Sequence, residues 1–223
     1  AVTTDDFVAC MADVSGRNLS RFKRWYVQAG TPELDVSGRY DPTARTYELS
    51  VRQHTPPTPG QTHKKPLHIP LATGLLDGEG RELPLRLDRD ETASVTGTRV
   101  LEVLEAEQHF RFIDVPEPPV PSLLRGFSAP VKVCFEYSDE ELMFLMGHDS
   151  DGFNRWDAAQ TLSQRLLLGL VQDPDTRVPQ GFMDALRRAL SDRDADRALI
   201  AEILALPSEA YLADQMPVVD VDG

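Results

Sequence analysis

The side chains best suited to chemistry in this chain are its five histidines, and their neighbours decide what they can do. Metal-dependent hydrolysis needs two His one helical turn apart with a Glu beside the first, so that both imidazoles reach one zinc and the Glu handles the proton of the attacking water. His54 is followed by Thr55, His63 by Lys64, His68 by Ile69, His109 by Phe110 and His148 by Asp149, so none opens that motif. His54, His63 and His68 surround one loop. That loop is Pro-rich, Lys64 and Lys65 crowd His63, and no Cys or carboxylate joins the group. Solvated loop histidines are the expectation there, rather than a zinc site.

Other chemistries fail on context. No Gly-x-Ser-x-Gly marks a nucleophile elbow, and no glycine-rich Lys-Ser/Thr loop marks a phosphate cradle. Gly78-Glu79-Gly80 lies in a turn between strand patterns with no helix after it, which excludes a dinucleotide fingerprint. Asp139, Glu140 and Glu141 read as a solvated helix start favoured by the helix dipole. The sequence therefore assigns no catalytic, cofactor-binding or metal-ligating residue. Cys10 falls in a helical pattern and Cys134 in a strand pattern. Both are expected as buried free thiols, which fits a reducing compartment.

Composition narrows the partners. The 223 residues carry 23 Lys+Arg against 36 Asp+Glu, a net charge of −13. Such a chain gains nothing from counterion release on nucleic acid, and no basic stripe interleaved with aromatics appears. No run is long and apolar enough to span a bilayer, and residues 1–6 lack the basic and apolar regions of a signal peptide. The chain opens on Ala1 and ends in the apolar run around Val218, Val219 and Val221, so both ends are read as lying inside a longer protein.

Any function must then come from how the elements position one another. Thr3 with Asp6 opens a helix carrying Phe7, Val8, Met11 and Val14, which breaks at Ser15-Gly16-Arg17-Asn18. Ser20 opens a second helix with an apolar face of Phe22, Trp25, Tyr26 and Ala29; Gly30 takes the left-handed position after its end and Pro32 forbids continuation. Alternation then takes over: Leu34 and Val36; Tyr47, Leu49 and Val51; residues 68–76; Leu83, Leu85 and Leu87; residues 100–104; residues 110–115; and Val131, Val133 and Phe135. About seven short strands within about a hundred residues, with no room for crossover helices, predict an immunoglobulin-like antiparallel β-sandwich. Ser138 with Glu141 caps a return to helix. Three more helices carry Phe153, Trp156, Ala159, Leu162, Leu166 and Leu170, then Phe182, Leu186 and Leu190, then Ala198, Leu199, Ile203 and Leu206. The fold class is α+β in several parts: a helical pair over 1–31, the sandwich over 32–137 and a helical array over 138–223.

Four runs in order make the sequence specific. Leu19 to Pro32 contains Phe22-Lys23-Arg24-Trp25-Tyr26 and Gly30-Thr31-Pro32; Gln53 to Gln61 and Lys65 to Pro70 flank a loop; Phe127 to Lys132 leads into a strand; Asp151 to Gln160 contains Phe153-Asn154-Arg155-Trp156. Together they resemble bacterial aminopeptidase N, the zinc-dependent alanyl aminopeptidases, along nearly the whole chain. The shared Phe-x-Arg-Trp of residues 22–25 and 153–156 is read as coincidence, since aromatic spacing of this kind suits any buried helix face.

The resemblance implies a multi-domain enzyme that removes N-terminal residues from peptides. Its zinc is held by a His-Glu-x-x-His helix and a further Glu, its substrate amine by Gly-Ala-Met-Glu-Asn. None of these motifs occurs here, so zinc belongs to the parent and no catalytic residue is carried over. Residues 1–31 become the tail of the catalytic domain, the sandwich a spacer, and the helices the start of a C-terminal domain that covers the active site. The partners implied are the remaining domains of the parent, with peptides reached through the parent alone; the location implied is the cytoplasm. Phe22, Arg24, Trp25, Tyr26, Gly30, Pro32, Phe153 and Trp156 form the structural signature, with Trp25 and Tyr26 expected to anchor the catalytic domain to the sandwich. A fully buried Trp25 would make its change to Ala cost about 3–5 kcal/mol. The competing reading is a free-standing interaction module made of a sandwich and a helical tail.

Overall fold

The computed structural model describes residues 2–90, 94–173, 175–193 and 195–216. The apolar tail 217–223 and the helix-stopping Pro174 lie outside the described residues. Helix α1 (Thr4–Ser15) starts on the expected box: the Asp6 amide donates to Thr3 Oγ1, and Asp6 accepts from the Thr3 amide. It ends at Gly16, whose φ of 63° is open to glycine at no steric cost. Of its apolar residues only Val8 is buried; Phe7, Met11 and Val14 face outward.

The second expected helix does not form as drawn. Residues Phe22–Tyr26 make a single 3-10 turn, and the chain leaves it at Val27. The reason is tertiary. The side chains of Arg24, Trp25 and Gln28 donate to the carbonyls of Pro66, His68 and Lys65, and the Gln61 side chain donates to the Val27 carbonyl, in place of a further helical turn. Gly30 does take a left-handed φ of 97°, but four residues beyond Tyr26, the turn's last residue, rather than next to it.

The sandwich has two main sheets. One orders β7 (Glu107–Phe112), β2 (Thr46–His54), β1 (Glu33–Asp41) and β9 (Lys132–Cys134); the other orders β6 (Arg99–Val103), β3 (Ile69–Leu76) and β8 (Val120–Leu123). A small pair, β4 (Pro84–Leu85) and β5 (Val95–Thr96), stands where a longer Leu83–Leu87 strand was expected. The alternation read from the sequence sets the register: Leu34 pairs with Gln53 and Val36 with Val51 across β1 and β2, and the inward set Leu34, Val36, Leu49 and Val51 lies in the core. Two features were not visible in the pattern. β9 runs parallel to β1, Leu34 opposite Val133, while the other ladders are antiparallel. β8 contains Pro121 and the buried Ser122, so it carries no strand-like alternation at all.

Five helices follow among the described residues: α2 (Asp139–His148), α3 (Gly152–Gln172), α4 (Gln180–Ser191), α5 (Arg197–Leu204) and the short α6 (Glu209–Ala213). Ser138 and Glu141 cap α2 reciprocally, as their spacing required, and Asp151 caps α3. The second core gathers Leu142, Leu145, Met146, Ala159, Leu162, Phe182, Ala185, Ala189 and Ile203. Leu190 and Leu206, expected on apolar faces, are instead about 60% exposed, at 60% and 63%. In α4 the buried line is Phe182, Ala185 and Ala189, at i, i+3 and i+7, and Leu190 is rotated off that face. Among the described residues no helix is long and apolar enough to cross a membrane.

Candidate functional site

The polar chemistry of this chain concentrates where the sandwich meets the helices. Gly126 follows β8 in a tight turn, Arg125–Phe127, bounded by left-handed backbone at Leu124 (φ 57°) and Phe127 (φ 51°). Non-glycine residues hold such angles only where the surroundings over-determine them. The turn aims the Arg125 side chain into the seam, where it is 3% exposed. Its Nε donates to Ser122 Oγ at 2.7 Å, Nη1 to Glu82 Oε1 at 2.7 Å and Thr98 Oγ1 at 3.1 Å, and Nη2 to Asp149 Oδ1 at 2.9 Å. Gly74 on β3 makes the room: an added Cβ would fall 2.3 Å from Arg125 Cζ.

The loop between α2 and α3 answers from the helical side. Ser150 Oγ donates to Glu82 Oε1 at 2.5 Å, Asp151 Oδ2 accepts from the Gly126 amide at 2.9 Å, and Asn154 Nδ2 donates to Ser122 Oγ at 2.6 Å. Asp149 is fully buried at its side chain. Burial pushes its carboxyl above the usual aspartate range, against the lowering by the Ser122 hydroxyl, the Asp151 amide and Arg125. Its Oδ2 has no well-aligned donor among the described residues, although the Ser122 hydroxyl reaches the carboxyl. Glu82 moves the other way: the Ser150 hydroxyl, then Arg125, hold it below the ordinary glutamate range. Apolar packing crosses the same seam, with Leu76 of the sandwich in the helical core and Phe153 of α3 against the sandwich core. The Phe153 ring lies 5.3 Å from Phe127 and 5.8 Å from Trp156.

A second seam holds the N-terminal stretch on the sandwich. Trp25 is half-buried and donates from Nε1 to the His68 carbonyl at 2.9 Å; Arg24 donates to the Pro66 carbonyl. Gln28 and Lys65 exchange bonds of 3.1 and 2.8 Å, and Gln61 bonds both the Ala29 amide and the Val27 carbonyl. Gly30 runs close under Thr55 and Thr58, where a Cβ would meet methyls at 3.1 and 3.3 Å. Pro32 is buried and its carbonyl accepts from the Lys132 amide. Phe22 meets Tyr26 edge-on at 6.0 Å, and Tyr26 is 51% exposed.

The histidines disperse: His63 is exposed in its loop, and the other four sit in separate small arrangements. His54 meets Glu33 at 3.0 Å and Asp35 at 3.8 Å; His68 meets Glu102 at 3.2 Å; His109 bonds Ser50 at 2.9 Å. His148 stacks on Phe144 with Arg188 beside it. Burial, then Arg188 and Arg155, depress its pKa below the ordinary histidine value. Among the described residues no three His, Cys, Asp or Glu side chains gather as a metal would require, so the donor set here does not fit a zinc ion. Both cysteines are exposed, against expectation. Cys10 lies on the outer side of α1, and Cys134 sits on the outward phase of β9. Burial, then the neighbouring Asp35 and Glu33, raise the Cys134 thiol pKa. Cys134, Asp35, His109 and Glu107 line an open hollow of about 720 Å³ on the outer sheet face.

Sequence reasoning singled out Phe153 and Trp25, which lie at the two seams, but missed Arg125, Asp149, Glu82, Ser122 and Gly74. One signal was present: an Arg-Gly inside the apolar run Val120 to Phe127 has to be either exposed or paired.

Comparison with known proteins now bears on what these seams belong to. Two family models match: a domain of unknown function with an Ig-like fold, DUF3458, over residues 30–136, and its C-terminal companion DUF3458_C, described as ARM repeats, over residues 139–223. The chain is 44% identical to Aminopeptidase N of Escherichia coli K12 over 99% of its length and 25% of that protein's. It is 38% identical to Aminopeptidase N of Haemophilus influenzae, covering 100% and 26%, and 44% identical to that of Caulobacter vibrioides, covering 96% and 23%. A crystal structure of Legionella pneumophila aminopeptidase A in complex with aspartic acid superposes with a TM-score of 0.78 at 30% identity, over 97% of this chain and 23% of that one. The chain thus spans about a quarter of the length of the curated relatives it matches.

Proposed function

The chain belongs to the aminopeptidase N family, of whose members it spans about a quarter, and from that membership we propose that it is a non-catalytic structural segment of a zinc-dependent aminopeptidase. In this reading the parent releases N-terminal residues from peptides in the cytoplasm, and this segment carries the helical array into place over the active site. The observation that carries the reading is identity of 44% along 99% of the chain without any of the zinc-binding motif in it. Zinc, in this reading, is held by parts of the parent outside this chain.

The two seams suit a spacer. One face of the sandwich grips the stretch around Trp25, assigned to the end of the catalytic domain. The opposite end grips α2 and α3. The test is hydrolysis of an alanine anilide by the full-length parent and by this chain, with zinc supplied and then chelated. The reading requires a zinc-dependent rate in the parent and none in the isolated chain. Turnover by the isolated chain, once contaminating peptidase is excluded, would overturn it. A parent without peptidase activity would favour the free-standing interaction module instead.

A further inference from the structure

We propose that Arg125 is a positioning residue that fixes the angle between the sandwich and the helical array, and that it thereby sets how large a peptide the parent admits. The first half stands on the geometry of the seam. The second half rests on the aminopeptidase reading above.

An apolar contact is non-directional and tolerates sliding, whereas charged bonds to a planar guanidinium fix both distance and angle. At this seam the guanidinium points at both sides at once. It meets Ser122, Glu82 and Thr98 on the sandwich and Asp149 at the end of α2. The bonds Ser150–Glu82, Gly126–Asp151 and Asn154–Ser122 add three further points along the loop after α2 and the first turn of α3. Such a set resists rotation about any axis through one bond. The fold also makes room for this side chain in two ways: Gly74 leaves space for Cζ, and the left-handed Leu124 and Phe127 turn the backbone so that Arg125 aims inward.

The N-terminal seam contrasts with it. Its Gln28, Ala29 and Gln61 bonds are exposed, and Gly30 stands in it with φ of 97°.

The experiment uses the full-length parent with Cys10 and Cys134, both exposed, changed to Ser. Spin labels at Ser37 on the sandwich and Arg187 on α4 report the angle as a distance distribution. Arg125→Lys keeps the charge but loses the fork. Asp151→Asn keeps the helix cap and removes the acceptor for Gly126, so it retains the fold even if the first variant does not. Both are expected to broaden the distribution. Both should also shift the ratio of kcat/KM for a peptide of about ten residues to that for alanine anilide by about tenfold, the anilide kcat staying within about twofold. Unchanged distances in both variants overturn the lock. Broadened distances with an unchanged ratio overturn the role in peptide admission. If the wild-type parent shows no anilide turnover, the aminopeptidase reading fails and the distances still decide the lock.

Discussion

Replacing Gly74 by Ala adds one methyl group at the most crowded point of the sandwich–helix seam. The new Cβ would lie 2.3 Å from Arg125 Cζ and 2.6 Å from both Nε and Nη2, well inside any van der Waals contact. The Arg125 side chain is 3% exposed. If it is pushed off Asp149, a carboxylate with a fully buried side chain is left without its cation. Breaking a buried pair in this way costs about 3–5 kcal/mol, whereas simple overpacking costs about 1–3 kcal/mol. The first figure applies because Gly74 sits in the middle of β3, paired to Ser122 on β8, and neither strand can move aside without opening the sheet. Against a typical domain stability of about 5–15 kcal/mol this is a large share. Urea melts of this chain followed by circular dichroism should show the midpoint falling by more than about 1 M with an unchanged slope. Gly78→Ala is the control, since its Cβ would meet only Glu117 Oε1, at 4.0 Å, and its midpoint should not move. The double change Gly74→Ala with Arg125→Met should be milder than the sum of the two by at least about 1 kcal/mol, because the methyl then has nothing to displace. A Gly74→Ala midpoint equal to wild type would refute the reasoning, showing that the guanidinium has a second place to go.

Other outcomes follow from the same structure. Trp25→Ala should cost about 2 kcal/mol in urea melts, below the range for a fully buried indole, because the ring is half-exposed and keeps one bond to the His68 carbonyl. The depressed pKa of His148 means that the unfolded chain binds the proton more readily than the folded one. Stability should therefore fall as pH drops below the ordinary histidine value of about 6.5, and His148→Gln should flatten that slope in melts taken at several pH values. Asp90 is held low by Arg99 and the Leu87 amide. Its contribution is present above the ordinary aspartate pKa of about 3.9 and is lost as pH falls through the lower folded value, so the stability gap between wild type and Asp90→Asn should close in acid. A gap that persists unchanged would show that the pair acts through packing rather than charge.

The sequence by itself determined the local elements. Side-chain period placed Leu34, Val36, Leu49 and Val51 on one face, and the cap pairs Thr3–Asp6 and Ser138–Glu141 placed two helix starts, because each depends only on neighbours along the chain. The absence of a zinc motif and the resemblance to a known family were legible for the same reason: both are strings. What the tertiary structure decided are pairings between distant residues. The Phe22–Tyr26 stretch became one 3-10 turn because Trp25 and Gln28 found carbonyls on a loop about forty residues away, which outweighed its helical pattern. Cys10 and Cys134 came out exposed because strand or helix membership does not say which face is covered. The parallel β9 and the unpatterned β8 are fixed by their neighbours in the sheet. Arg125 is the clearest case. Burying a guanidinium is unfavourable unless its donors are met, and the groups that meet them come from positions 82, 98, 122 and 149, which only the folded chain brings together.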